Sequence, residues 1–139
     1  MSTSLLHHAF GLTDQEYLKT EYKEGTVIFH IKTKDSKLRC SDCGSRNVAK
    51  KGTVDRLFRT LPIGTRPVYL HAKVQRLQCN DCGLIRQECL TYADEKKSHT
   101  RRISDCIIDL LTYMTIQDVS EVFKISRGTV KTIDKEYLR

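Results

Sequence analysis

Two five-residue stretches of this chain nearly repeat each other: CSDCG at 40–44 and CNDCG at 79–83. Thirty-five residues, 44–78, lie between the second cysteine of the first and the first cysteine of the second. A Cys-x-x-Cys turn directs both thiols to one side of a tight loop. The glycine after each pair, Gly44 or Gly83, permits the positive φ that closes such a loop. One turn offers half of a tetrahedral coordination sphere, and two turns offer all of it. Cys40, Cys43, Cys79 and Cys82 therefore predict one Zn2+ site, and their placement beside hairpin arms predicts a zinc ribbon. A site closed by four thiolates has no open position for water, which predicts a structural rather than a catalytic metal. Rubredoxin-type iron uses the same spacing, and a redox Cys-x-x-Cys is the other competitor. Basic surroundings, few aromatics between the pairs and the presence of two pairs each followed by glycine all point to zinc.

The rest of the composition suits this reading. The chain has 139 residues, of which 39% are hydrophobic and 29% charged, so its core is lean and a structural metal offsets that shortage. Charge is uneven. Residues 1–36 hold four Lys/Arg and five Asp/Glu (net −1), so with a total of +7 the remaining 103 residues carry +8. A basic region of this kind predicts a polyanionic partner. No apolar run reaches membrane-spanning length, and the first ten residues lack the form of a secretory signal. A cytoplasmic protein that engages no membrane is expected, in a compartment where clustered cysteines are metal ligands rather than disulfides.

Along the chain, residues 12–24 are polar and mixed, and GTVIFHIKT at 25–33 alternates as a strand does. Residues 54–79 predict a long hairpin turning at LPIGTRP, with Val68, Leu70, Ala72 and Val74 on one face. LIRQECL predicts a short further strand. Near residue 96 the texture changes. Ile103, Ile107, Leu110 and Met114 fall at helical spacing, and Thr100 is placed to cap that helix. The fold class expected is small α+β: an N-terminal zinc ribbon with β-hairpins, then a C-terminal helix-turn-helix. The division is 1–36 as a lead-in strand, 37–95 as the ribbon and 96–139 as the helical module. Cys106 reads as a small core residue, Cys89 as a strand residue, and none of the five histidines as a metal ligand.

TIQDVSEVFKISRGTVKTIDKEYLR has helix-turn-helix spacing. Val119 and Phe123 form the buried face of its first helix, and Ser120 is small where the helices cross. Ile125 plugs the turn, Ser126 caps the second helix, and Val130 and Ile133 are its buried face. Lys124 stands at the tight turn, where glycine is common. The exposed face of the second helix then carries Ser126, Arg127, Thr129, Lys131, Thr132 and Lys135, in the position from which a recognition helix meets base edges. Arg127 is the candidate for bidentate guanine contact. KKSHTRR at 96–102, with Arg101 and Arg102, supplies phosphate contacts. Arg46, Lys50, Lys51, Arg56 and Arg59, in or near the first hairpin arm, are placed to grip backbone.

The order of these features resembles the N-terminal part of bacterial insertion-sequence transposases of the L-three family. That order is a leading strand, CSDCG, the basic hairpin, CNDCG, TRRISDCIIDLL and then VSEVFKISRGTVKTID. Many knuckles of that family read Cys-Pro-x-Cys; Ser41 and Asn80 stand in place of the proline here, leaving the thiols untouched. The resemblance implies double-stranded DNA, specifically terminal inverted repeats, as partner. It implies a second copy or a full-length transposase as a protein partner. It also implies an RNase H-like catalytic domain with three acidic residues further along, for which 139 residues leave no room. The expectation is a DNA-binding portion of a transposase that is non-catalytic by itself. The alternative is a small zinc-containing transcriptional regulator, and a zinc-stabilised protein-interaction module is a third reading.

Overall fold

A computed structural model describes residues 3–94 and 97–137. Lys96 of the basic KKSHTRR run, and the boundary between 95 and 96, lie outside the described residues. A short helix α1, Thr3–Phe10, opens the chain, followed by strands β1, Gln15–Lys23, and β2, Thr26–Thr33. The long strands β3, Val48–Ile63, and β4, Arg66–Cys79, come next, then the short β5, Ile85–Gln87. Three helices close the chain: α2, Arg101–Leu110; α3, Ile116–Phe123; and α4, Arg127–Tyr137.

The strands form a single sheet in the order β1-β2-β4-β3. β1 pairs antiparallel with β2, and β3 antiparallel with β4. β2 runs parallel to β4, placing Val27 opposite Val68 and Ile31 opposite Ala72. β5 takes up the same edge of β4 beyond β2, with Ile85 opposite Gln78. β1 lies within the polar stretch 12–24, which has no alternating apolar face of its own. It forms a strand because β2 offers a free edge and the tight turn at Glu24–Gly25, both at positive φ, folds the chain back on itself. Residues 15–33 thus share a sheet with the hairpin.

Val68, Leu70, Ala72 and Val74 are all buried, so the alternation of β4 is the alternation of a one-sided sheet. Phe29, Ile31 and Phe58 extend that face, and α1 lays Leu6 and Phe10 over it. Phe10 meets Phe29 at 5.7 Å between ring centres, and Tyr92 stands edge-on to Phe58 at 5.4 Å. A second cluster forms among the helices from Ile103, Ile107, Val119, Phe123, Val130 and Ile133. Leu61 of β3 packs against both clusters.

The helices start and stop for local reasons. Thr100 accepts a hydrogen bond from the Ile103 amide at the head of α2. α2 stops at Leu110, so Met114 packs on the second cluster from the turn beyond the helix rather than from within it. Thr115 and Asp118 form a reciprocal capping box on α3. Lys124 ends α3 with φ 56°, ψ 43°, the left-handed conformation that glycine usually supplies. Ile125 then packs on the helical cluster, and the Thr129 amide donates to Ser126 Oγ at the start of α4. Among the described residues no helix is long and apolar enough to cross a membrane.

Candidate metal centre and basic surface

Cys40 and Cys43 lie in the loop before β3, and Cys79 ends β4 with Cys82 just beyond. Because Val48 pairs with Cys79 at the open end of the hairpin, the two knuckles are brought side by side. They are built alike. The Cys40 amide donates to Ser45 O at 2.8 Å and the Cys79 amide to Leu84 O at 2.9 Å. Gly44 returns its amide to Cys40 O at 3.0 Å, and Gly83 to Cys79 O at 2.9 Å. Both glycines have φ 76°, a conformation where a Cβ is strained. Further bonds bolt the knuckles together: Asn80 N to Asn47 O at 2.9 Å, Asn80 Nδ2 to Asn47 Oδ1 at 3.0 Å, and Ser45 Oγ to Asp81.

The four sulfurs converge. Cys40 and Cys82 are 3.6 Å apart, Cys43 and Cys79 3.5 Å, and all four lie within 4.8 Å of one another. A tetrahedral ion with bonds of about 2.3 Å to sulfur sets its ligands about 3.8 Å apart. The pocket therefore has the size of a ZnS4 site, and all four cysteines are free rather than disulfide-bonded. Amide groups of Asp42, Asp81 and Cys82 point at Cys40 or Cys79 Sγ at 3.4 Å. These backbone donors favour thiolate at the first cysteine of each pair. The Cys43 amide, followed by that of Asp42, lowers the Cys40 thiol, and the Cys82 amide is the largest cause that brings Cys79 down to about 7. Zn2+ bound here would supply four metal–thiolate bonds closing the open end of the hairpin.

The remaining cysteines sit apart from this cluster. Cys106 is half-buried against the helical cluster. Cys89 falls just beyond β5 in irregular chain, where Arg39 donates to its sulfur at 3.6 Å. His30 and His71 neighbour each other in register across β2 and β4, with ring centres 4.6 Å apart and Glu21 Oε1 3.1 Å from His30 Nε2.

On α4, Val130 and Ile133 are buried while Ser126, Arg127, Gly128, Lys131, Thr132 and Lys135 are exposed. Thr129 is half-buried, and its hydroxyl is 2.9 Å from Ser126 Oγ. Thr132 donates its hydroxyl to Gly128 O at 2.9 Å, leaving its oxygen free to accept. Arg101 and Arg102 are exposed at the head of α2; Arg101 is paired with Asp94 at 2.7 Å. Lys50 and Lys51 are exposed beside a bulge in β3, Lys50 paired to Asp35 at 2.7 Å.

Arg59 departs from its expected role. It is 9% exposed, stands over the Tyr69 ring and donates to Phe123 O at the end of α3. Its backbone exchanges hydrogen bonds with Ser98 O at 2.8 Å and the Thr100 amide at 2.9 Å. Arg59 therefore joins the sheet to the helices instead of facing an external polyanion. Its strand position alternates with Phe58 and Thr60, so only the site where α3 docks could reveal this.

Comparison with known proteins agrees with this geometry. Residues 36–82 match the family described as the zinc-finger of transposase IS204/IS1001/IS1096/IS1165. The chain is similar to the transposase for insertion sequence element IS1001 of Bordetella parapertussis, with 33% identity over 114 residues. That similarity covers 82% of this chain and 28% of the relative, so the chain spans little more than a quarter of the protein it resembles. No solved structure matches.

Proposed function

We propose that this chain, which belongs to the insertion-sequence transposases through the zinc-finger at residues 36–82, serves as a DNA-binding portion in which α3 and α4 act as a helix-turn-helix. The observation that carries this reading is the division of α4 into two faces. Val130 and Ile133 are spent on the helical core, while Arg127, Lys131 and Lys135 project into solvent with Ser126 and Thr132 beside them. A helix presented this way fits the major groove, with its N-terminal residues toward base edges. Arg127 is assigned guanine contact, and Lys131, Thr132, Thr129 and Lys135 base or phosphate contacts. The ribbon, residues 37–95, is assigned backbone contact through Lys50 and Lys51, and Arg101 and Arg102 the same role at the entry to the helical module, 96–139. The double-stranded target is assigned to the element's terminal inverted repeats.

The spacing of these groups supports a two-part footprint. Lys50 and Arg59 are nine positions apart in β3, a span of about 30 Å at roughly 3.3 Å per residue. Arg59 is where the helices attach, so the ribbon contacts and the helical module stand at separate points along the hairpin. Zinc's part is to hold the knuckle end of the hairpin; the function assigned to these residues is binding, not strand cleavage.

The test is duplex binding followed by anisotropy, using element-end and scrambled duplexes, with and without chelator. Element-end preference that Arg127→Ala abolishes, with affinity falling steeply in salt, is the expected result. Equal binding of both duplexes by the wild type, unaffected by Arg127→Ala, would refute base recognition by α4.

A further inference from the structure

A cavity of about 590 Å³ opens between the first knuckle and the start of the helical module. Its walls come from elements far apart in sequence: Ser41 of the knuckle, Arg56 of β3, Arg86 of β5, and Asp94 and Arg101 flanking the head of α2. Three arginines from three elements therefore line one space.

Two of them are held in place. Arg56 lies 4.5 Å above the Phe58 ring and donates to Lys97 O at 3.0 Å, so its orientation is set without any carboxylate. Arg101 is fixed by Asp94 at 2.7 Å and by Thr91 O at 2.9 Å. Arg86 is exposed and has no carboxylate partner among the described residues.

Among the described residues the acids that line the cavity, Glu88 and Asp94, are fewer than the arginines. Asp94 balances Arg101. Glu88 also borders the cavity, but both its oxygens are engaged inward, by Thr33 Oγ1 and by the Gln75 amide at 2.8 Å. Among the described residues no carboxylate is bonded to Arg56 or Arg86, which leaves two donors bordering an open space, a geometry suited to a bidentate oxyanion.

We infer that this cavity binds a backbone phosphodiester of DNA through Arg86 and Arg56, at a point between the ribbon and helix contacts. The inference rests on the proposed DNA-binding function and adds a third contact to it. Its position matters because the other two contact regions lie toward opposite ends of β3. A phosphate held here bridges them and sets the path of the strand across the sheet. A free phosphate has the same chemistry, and the test separates the two sources.

The experiment uses the full zinc-loaded chain as wild type, Arg86→Gln and Lys23→Gln. Lys23 is exposed at the end of β1, away from the cavity. Affinity for a short random-sequence duplex is measured across a salt series, and backbone amide shifts are followed on addition of inorganic phosphate. Loss of one phosphate contact lowers the slope of log affinity against log salt by about 0.9. The expected result is that drop for Arg86→Gln and none for Lys23→Gln, with unchanged zinc content in both. An unchanged slope in Arg86→Gln overturns the inference. If the wild type binds no duplex while inorganic phosphate shifts the amides of residues 86–94 in the wild type and not in Arg86→Gln, the cavity is a free-phosphate site and the DNA-binding function falls. If neither duplex nor phosphate binds, both fall.

Discussion

Replacing Arg59 by methionine tests how the helices are tied to the sheet. Methionine keeps an unbranched apolar stem over Tyr69 but removes every donor. In the native protein the Arg59 guanidinium satisfies Phe123 O, one of the carbonyls that α3 leaves without an intrahelical partner. In Arg59→Met that carbonyl stays buried and unpaired whenever the helices are docked, a cost of about 1–3 kcal/mol. The sheet itself loses nothing comparable. Arg59 Nε is already buried without a partner, and its backbone bonds to Ser98 and Thr100 survive the change. The penalty therefore falls on opening of the helical module rather than on the β3–β4 ladder. At 1.4 kcal/mol per factor of ten, amides of α3 and α4 should exchange roughly 5- to 140-fold faster. Native-state hydrogen exchange by NMR reads this directly, with amides of Leu70 and Ala72 as the internal reference. Equal acceleration in the sheet and the helices would refute a docking role for Arg59. So would unchanged protection in α4.

Other perturbations address the metal site and the buried polar groups. Cys79→Ser should abolish stoichiometric zinc binding, measured by metal analysis, and fray the Val48–Cys79 end of the hairpin while Ile103 and Val119 remain protected. Apparent zinc affinity should fall with falling pH, because the metal must displace the protons of Cys43, pushed up to about 12, and of Cys82, and below about 7 Cys79 adds another; a competition titration that is flat between pH 8 and 6 would contradict this. Gly83→Ala places a Cβ at φ 76° with nothing within 4 Å to clash, so its cost is backbone strain alone, about 1–2 kcal/mol, read as weaker zinc retention against a chelator. Glu88 has its carboxyl raised above 4.5 by burial, so the folded state binds the proton more tightly than the unfolded state. Its contribution is full below pH 4.5 and is lost as pH rises through the folded value. Glu88→Gln should flatten the fall in stability above pH 4.5 in denaturant titrations, and an unchanged pH profile would argue against a desolvated carboxyl there.

The metal centre was legible because it is local. Each Cys-x-x-Cys-Gly turn is closed by hydrogen bonds within its own six or so residues, and the glycines at 44 and 83 adopt the positive φ their position demands. The buried face of β4 was legible for a similar reason: strict alternation over Val68–Val74 is a property of the pleat. The helix starts at Thr100, Thr115 and Ser126 follow from side chains that cap their own backbone. Lys124 shows the limit of that logic. Its left-handed conformation is costly for a side chain, yet docking of Ile125 into the helical core holds it there.

What the sequence did not carry is whatever depends on a partner brought in from far along the chain. β1 has no apolar alternation to announce it and exists because the edge of β2 is available. α1 is short, and its residues matter through Leu6 and Phe10 covering a sheet that forms later in the chain. Asn47 and Asn80 have no metal-ligand chemistry, so their clamping of the two knuckles appears only once the hairpin sets those knuckles side by side.

The same division holds for the charged residues. By itself the sequence determined that four thiols form one ligand set, that positive charge lies after residue 36, and which face of α4 is apolar. These follow from residue type, spacing and period. Only the tertiary structure decided which cations are free to act. It buries Arg59 against Phe123 O, gives Lys50 and Arg101 exposed partners in Asp35 and Asp94 that they must exchange for phosphate on binding, and leaves Arg86 and Arg127 without carboxylate partners among the described residues. Charge is a property of a residue, but whether that charge is already neutralised or buried depends on neighbours that the fold alone supplies.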